Sequence, residues 1–135
     1  MRAKEASAIS SAHTLMRLAR VDSTATDDYS AFIQGGPGCP VINGGWMDSE
    51  DICDACYETT SNPANVRAVC KSIVRAVGPY WSNSWGSPRY PKYSLLVPLS
   101  GNGTKQKHYC IGSNDGVSLA TQEESGCGWQ PGGTG

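Results

Sequence analysis

Six cysteines, at positions 39, 53, 56, 70, 110 and 127, are the residues of this chain best equipped for covalent chemistry. An even number in a chain of 135 residues points to a framework of up to three disulfides in an oxidising compartment. Cys39, Cys53, Cys56 and Cys70 are spaced symmetrically, with residues 40–52 and 57–69 forming spacers of equal length around one C-x-x-C. Within a helix, Cys53 and Cys56 would share a face with Cβ atoms about 5–6 Å apart, whereas a disulfide needs about 3.5–4.5 Å. They are therefore expected to pair outward, one to Cys39 and the other to Cys70. Each bridge would close a loop of about 15 residues and contribute on the order of 3 kcal/mol. Two other chemistries compete for the same residues. Four thiolates could hold a tetrahedral zinc, although structural sites usually present two short-spaced pairs and this chain has one. A C-x-x-C at a helix start could instead act as a thiol redox pair, but that needs a preceding strand, and Asp48, Glu50, Asp51 and Asp54 would oppose a thiolate.

The remaining polar groups suggest less. His13 and His108 have no nearby pattern of nucleophile and acid, so no catalytic residue is assigned and a non-enzymatic role is expected. Ser113, Asn114 and Asp115 offer oxygens beside Gly116, where a calcium loop competes with a simple hairpin turn, and the turn is the plainer account. Asn102-Gly103-Thr104 matches a glycosylation acceptor but reads first as a turn. Tyr80, Trp81, Trp85, Tyr90 and Tyr93 lie among Pro, Ser, Asn and Gly with no sustained period. They read as an irregular loop that either covers the core or presents a carbohydrate- or protein-binding surface. Lys105, Lys107 and His108 form a basic cluster too small for more than weak phosphate binding. With 11 Lys and Arg against 12 Asp and Glu, bulk charge recruits neither nucleic acid nor anionic lipid.

Positioning these groups requires one domain, because 135 residues support a single core and divide poorly into two. Residues 2–22 read as an amphipathic helix, with Ile9, Ala12, Met16 and Ala19 at spacings of three and four and Leu15 beside them. Its apolar face is small, dominated by alanine, and needs a partner surface. An acidic start at Asp48 to Asp51 opens a short helical segment carrying Ile52, Cys53 and Cys56. Asn62 as cap and Pro63 at the first position begin a second helix, whose apolar face is Val66, Val69, Cys70, Ile73 and Val77 and which Gly78-Pro79 ends. From Tyr93 the period becomes two, and Tyr93, Leu95, Val97 and Leu99 alternate with Ser94, Leu96, Pro98 and Ser100. Pro98 suggests an edge position or a bulge. A turn at Gly101-Asn102-Gly103, a strand around 105–111, and a hairpin at Asn114-Asp115-Gly116 into Val117 and Leu119 complete an antiparallel meander. Gly132 to Gly135 are expected to fray. The expected fold is α+β: an N-terminal helix packed on a C-terminal meander over residues 93–120, a disulfide-rich region over 35–92, and a tail over 121–135. Met1 is followed at once by polar residues and no long apolar run is present, so the expectation is that an exported precursor carries a further N-terminal piece.

Lys4-Glu5-Ala6-Ser7-Ala8-Ile9-Ser10-Ser11 is similar to the motif that follows the membrane-spanning part of many bacterial pilins. Tyr93-Ser94-Leu95-Leu96-Val97-Pro98-Leu99, Lys107-His108-Tyr109-Cys110 and Asn114-Asp115-Gly116-Val117 resemble the terminal strands and Asp-Gly hairpin of the type IV pilin and pseudopilin family. The two matches bracket the chain and cover under half of it. The resemblance implies the globular head of a filament subunit displayed outside a bacterial cell. An apolar first half-helix would anchor the precursor in the inner membrane, and other pilin subunits would be the partners. It implies a Cys110–Cys127 bridge stapling the C-terminal segment to the sheet, and an assembly face formed by Ile9, Ala12, Leu15, Met16 and Ala19. No cofactor is implied, with zinc or calcium as lesser alternatives. The processing site and the glutamate that follows it in the family have no counterpart here.

Overall fold

The computed structural model describes residues 3–24, 28–32, 39, 44–85, 92–99, 107–113 and 117–121. The chain begins with helix α1 (Ala3–Ser23), which places Ala8, Ala12, Leu15, Met16 and Ala19 on one fully buried face. Three of these five are alanines, and the small side chains let a second helix approach closely. That helix is α3 (Pro63–Val77), the main partner of α1, with β3 and β4 contributing less. The expected packing of α1 on the C-terminal sheet is present through β3 and β4, and α3 is a further partner that the sequence did not indicate. Ser11 and Ser72 hydrogen-bond across the helix pair at 3.2 Å, a contact that only short side chains permit. Just before the start of α3, the backbone N–H of Ser61 donates to both Asp22 oxygens, 3.3 and 3.2 Å away, tying the end of α1 to the approach to α3.

Helix α3 follows local rules closely. Asn62 accepts from the Asn65 amide, Pro63 occupies the first turn, and Val66, Cys70 and Ile73 are buried. The Gly78 amide donates to the Val74 carbonyl, and Gly78 has φ of +89°. That backbone conformation suits glycine alone, and an added Cβ would meet nothing within 4 Å. Gly78→Ala therefore carries a backbone penalty without a clash, an expected loss of about 1–3 kcal/mol measurable by urea unfolding. The short helix α2 (Glu50–Ala55) is capped by Ser49, whose side chain accepts from Ile52 N. It lies against α3, and Lys71 and Arg75 form ion pairs with Asp54 and Glu50, each at 2.7 Å. A single 3-10 turn, Ser30–Phe32, carries the buried Phe32.

Among the described residues the sheet is antiparallel with five strands in nearest-neighbour order: β1 (Gly44–Met47), β2 (Tyr80–Trp85), β3 (Lys92–Pro98), β4 (Lys107–Gly112) and β5 (Val117–Thr121). The architecture is thus α+β, and the sheet reaches well into the central region. Residues 80–85, expected as irregular loop, form a strand, and β1 was not anticipated. The alternation in β2 is disguised because its inward position 82 is serine. Ser82 is fully buried, yet its hydroxyl is satisfied by Tyr93 Oη at 2.7 Å and by the Phe32 carbonyl at 3.4 Å. A polar residue with partners in place can occupy a core position that a hydropathy pattern reads as exposed.

Strand β3 is the central strand, which overturns the edge expectation drawn from Pro98. The register explains how proline is accommodated. Leu99 N donates to the Lys107 carbonyl at 2.8 Å, so the neighbouring Pro98 and His108 form a pair without ladder hydrogen bonds. The missing N–H of Pro98 would point toward β2, whose last pair with β3 is Trp81 with Leu96. No ladder bond is lost. One core gathers Leu15, Met16, Phe32, Met47, Tyr57, Ile73, Tyr80, Leu95 and Ile111 from helices and strands together. The turns expected at 101–103 and 114–116 and the fraying at 132–135 lie outside the described residues.

Candidate functional site

The four central cysteines come together around α2. Cys39 bonds Cys56, with Cα atoms 5.0 Å apart, and Cys53 bonds Cys70, with Cα atoms 5.7 Å apart. Both members of the C-x-x-C therefore pair outward, and the structure decides which partner each one takes. Cys53 lies in α2 and Cys56 at its C-terminal cap, where its amide donates to the Ile52 carbonyl. Cys70 sits one helical turn beyond Val66 on the inner face of α3, facing α2. These sulfurs are bonded to sulfur, so neither a tetrathiolate zinc site nor a Cys53–Cys56 redox disulfide describes them. No group of three or more His, Cys, Asp or Glu among the described residues is placed to hold a metal ion. Cys110 is fully buried on β4. Cys127, and with it the expected Cys110–Cys127 bridge, lies outside the described residues.

Immediately after α2 the chain takes a strained step. Tyr57 has φ of +65°, a left-handed conformation that costs a side-chain-bearing residue about 1–2 kcal/mol. It is held because its ring is buried against Phe32 and its hydroxyl hydrogen-bonds Tyr80 Oη at 2.7 Å. Tyr93 stacks on Tyr29 with ring centroids 5.4 Å apart and shares a hydrogen bond with Ser82. Tyr57, Tyr80, Ser82 and Tyr93 thus form a buried polar patch between α2 and the sheet. Burial, foremost, pushes the Tyr57, Tyr80 and Tyr93 phenols well above the ordinary value. Below about pH 10 the folded and unfolded chains both keep these protons, and the contribution to stability is fully present. As pH rises past that point the unfolded chain releases them while the folded chain retains them, so stability falls. An ultraviolet titration of native protein is expected to leave these three tyrosines un-ionised until alkaline unfolding. Smooth, reversible ionisation of all six tyrosines near the ordinary value would contradict their burial.

The face of the sheet turned away from the helices carries a different set. The register aligns Trp46 with Trp81, Trp81 with Leu96, and Leu96 with Cys110 in one row across four strands. Leu96 and Cys110 form a separate small buried cluster. Trp46 and Trp81 stand at one end of the row, 37% exposed each, with ring centroids 5.3 Å apart and a tilt of 42°. His108 lies beside Trp46 at a centroid distance of 6.3 Å and is buried. The aromatic segment therefore divides: Tyr80 and Tyr93 serve the core, Trp81 reaches the surface, and the side chains of Trp85 and Tyr90 lie outside the described residues. Trp46 was missed from the sequence. It lies far from Trp81 along the chain, and only the β1–β2 register brings the two together.

Other expected sites resolve individually. His13 Nε2 and Tyr109 Oη share a hydrogen bond at 2.9 Å between α1 and β4. Lys107 is exposed and His108 is buried, so these two do not form a common basic surface, and Lys105 lies outside the described residues. The Ser113 hydroxyl accepts from the Tyr93 amide at 3.0 Å, which gives it a structural role at the end of β4. Asn114, Asp115 and Asn102 lie outside the described residues. Of the helix face assigned to assembly, Ala12, Leu15, Met16 and Ala19 are buried within the chain's own core and Ile9 is half-buried. In this fold the four buried residues belong to the core that holds α1 to the rest of the chain and are covered, whereas Ile9 stays partly accessible. The outward stripe of α1 is Ala3, Ser7, Ser10, Arg17 and Val21, with Val21 77% exposed. No described helix is long and apolar enough to cross a membrane. Compared with known protein families, curated proteins and solved structures, the chain matches none.

Proposed function

We propose that this chain is the head of an extracellular filament subunit of the type IV pilin kind, with a structural role in attachment, motility or secretion. The observation that carries this reading is the order of parts. A leading helix of 21 residues is built into the core by an alanine-rich face, a disulfide-tied region follows, and a nearest-neighbour antiparallel sheet closes the chain. A head of this kind must keep its leading helix rigidly attached while the helix meets other subunits. The outward stripe from Ala3 to Val21 is the part of α1 free for that contact. The disulfides fit maturation outside the cytosol, and other subunits, together with an inner-membrane precursor, are the partners this role requires.

The test is expression of the gene with its natural upstream sequence in a piliated bacterial host, with antibody against this head and electron microscopy. Labelled filaments are the expected result, along with about 20 upstream apolar residues after a short basic leader. A conventional cleaved signal peptide and unlabelled filaments would exclude it.

One observation favours a second reading, a secreted disulfide-bonded binding module. Trp46 and Trp81 present two tilted indoles at the surface, and exposed aromatic pairs suit sugar and protein contacts. Glycan-array binding that Trp81→Ala abolishes, from a protein that forms no filaments, would decide for the module.

A further inference from the structure

The two bridges differ in a way that loop length cannot produce. Each spans a sequence separation of 17, so the unfolded-chain entropy that each removes is the same. Their environments are not alike. Cys53 and Cys70 are fully buried and join α2 to α3 inside the core, where two ion pairs, Lys71 with Asp54 and Arg75 with Glu50, hold the same helices together. Cys56 is 3% exposed, but its partner Cys39 is half-buried and lies outside any helix or strand. Arg67 Nε donates to the Cys56 carbonyl at 2.7 Å. The Arg67 side chain is thereby tied to the backbone of the residue that leaves when this bridge opens. Of the acidic groups of α2 that would oppose a thiolate there, Glu50 and Asp54 are paired with cations, and Asp51 is exposed to solvent, which screens it.

We propose that Cys39–Cys56 is a reducible strap, which an external dithiol opens while Cys53–Cys70 stays closed and the fold persists. The attacking thiolate meets Cys39 Sγ, the less buried side of the bridge. A bond forms between the reductant and Cys39 Sγ, the bond from Cys39 Sγ to Cys56 Sγ breaks, and Cys56 leaves as a thiolate and takes a proton from water. The second thiolate of the reductant then attacks its own sulfur in the mixed disulfide, releasing Cys39 as a thiolate that is protonated in turn. The protein gains two thiols, and the dithiol becomes a cyclic disulfide. The core-spanning bridge offers no such entry, because both of its sulfurs lie behind packed side chains. The result is a device with two stages: the first changes the covalent connection ahead of β1, and only the second threatens the α2–α3 core. It differs from the C-x-x-C redox pair considered from sequence, since Cys53 and Cys56 belong to different bridges throughout.

The experiment uses the intact oxidised protein under graded dithiothreitol, quenched with iodoacetamide and mapped by peptide mass spectrometry, with near-ultraviolet circular dichroism followed in parallel. The expected first product carries label on Cys39 and Cys56, forms at least roughly tenfold faster than any species labelled on Cys53 or Cys70, and keeps the native aromatic spectrum. Label on Cys53 or Cys70 in the first product overturns the proposal, because the buried bridge would then have opened first or exchanged with the freed Cys56. Loss of both bridges together with the native spectrum overturns it equally.

Discussion

Replacing Cys53 and Cys70 together by alanine is expected to lower the unfolding free energy by about 3–5 kcal/mol, enough to leave much of the protein unfolded at physiological temperature. Two effects act in the same direction. Removing the cross-link returns loop entropy to the unfolded chain, and deleting two fully buried sulfurs leaves a void at the α2–α3 junction. The surface ion pairs between the same helices compensate little, because water screens exposed charges and holding two long side chains together costs entropy. Guanidinium unfolding of wild type, of the Cys53→Ala/Cys70→Ala variant and of the matching Cys39→Ala/Cys56→Ala variant makes the comparison. The second pair should cost clearly less, since Cys39 is only partly buried and equal loop lengths cancel. Equal losses for the two variants would show that loop entropy alone governs, and would remove the distinction between a core bridge and a strap.

Leu15→Ala is expected to destabilise the domain by about 2–5 kcal/mol, with an unchanged urea slope if the variant still unfolds in one step. Leu15 is fully buried on α1, whose neighbouring core positions Ala8, Ala12 and Ala19 contribute little apolar area of their own. Leu15 and Met16 therefore supply most of what binds this helix to the rest of the chain. A loss below about 1 kcal/mol would place Leu15 on a surface-like site, and α1 would then be an appendage whose apolar face is free for another chain. The measurement thus separates the core that the structure shows from the assembly face that the resemblance implied.

Helix α3 was legible almost residue by residue, because its signals are local. A cap at Asn62, proline at the first turn, apolar residues at helical spacing and a terminating Gly78 all act within a few residues of one another. Helix α1 was legible for the same reason, and so were the later strands, where Leu95 and Val97 alternate visibly with their neighbours. Strand β2 was not, because Ser82 occupies an inward position and depends on Tyr93 and Phe32 for its hydrogen bonds. Strand β1, with two glycines in four residues, offers no pattern of its own and exists by pairing with β2. Pro98 misled because its rule concerns a hydrogen bond on one side of a strand, and the side depends on register.

For the cysteines the division is equally clear. A helical placement of Cys53 and Cys56 disfavours a bond between them, so outward pairing was the expectation from sequence beside a zinc site and a redox pair, and the structure decides for outward pairing. Which of them reaches Cys39 and which reaches Cys70 depends on where α2 lies against α3, and no local interaction encodes that. The sequence by itself determined the disulfide-bearing character of the chain, the two long helices and the later strands, because capping, periodicity and side-chain reach are short-range. Tertiary structure alone decided the bridge partners, the burial of the α1 face, the meeting of Trp46 with Trp81 and the unequal exposure of two otherwise matched disulfides. Each of these is set by packing between segments distant along the chain, where burial and register outweigh local preference.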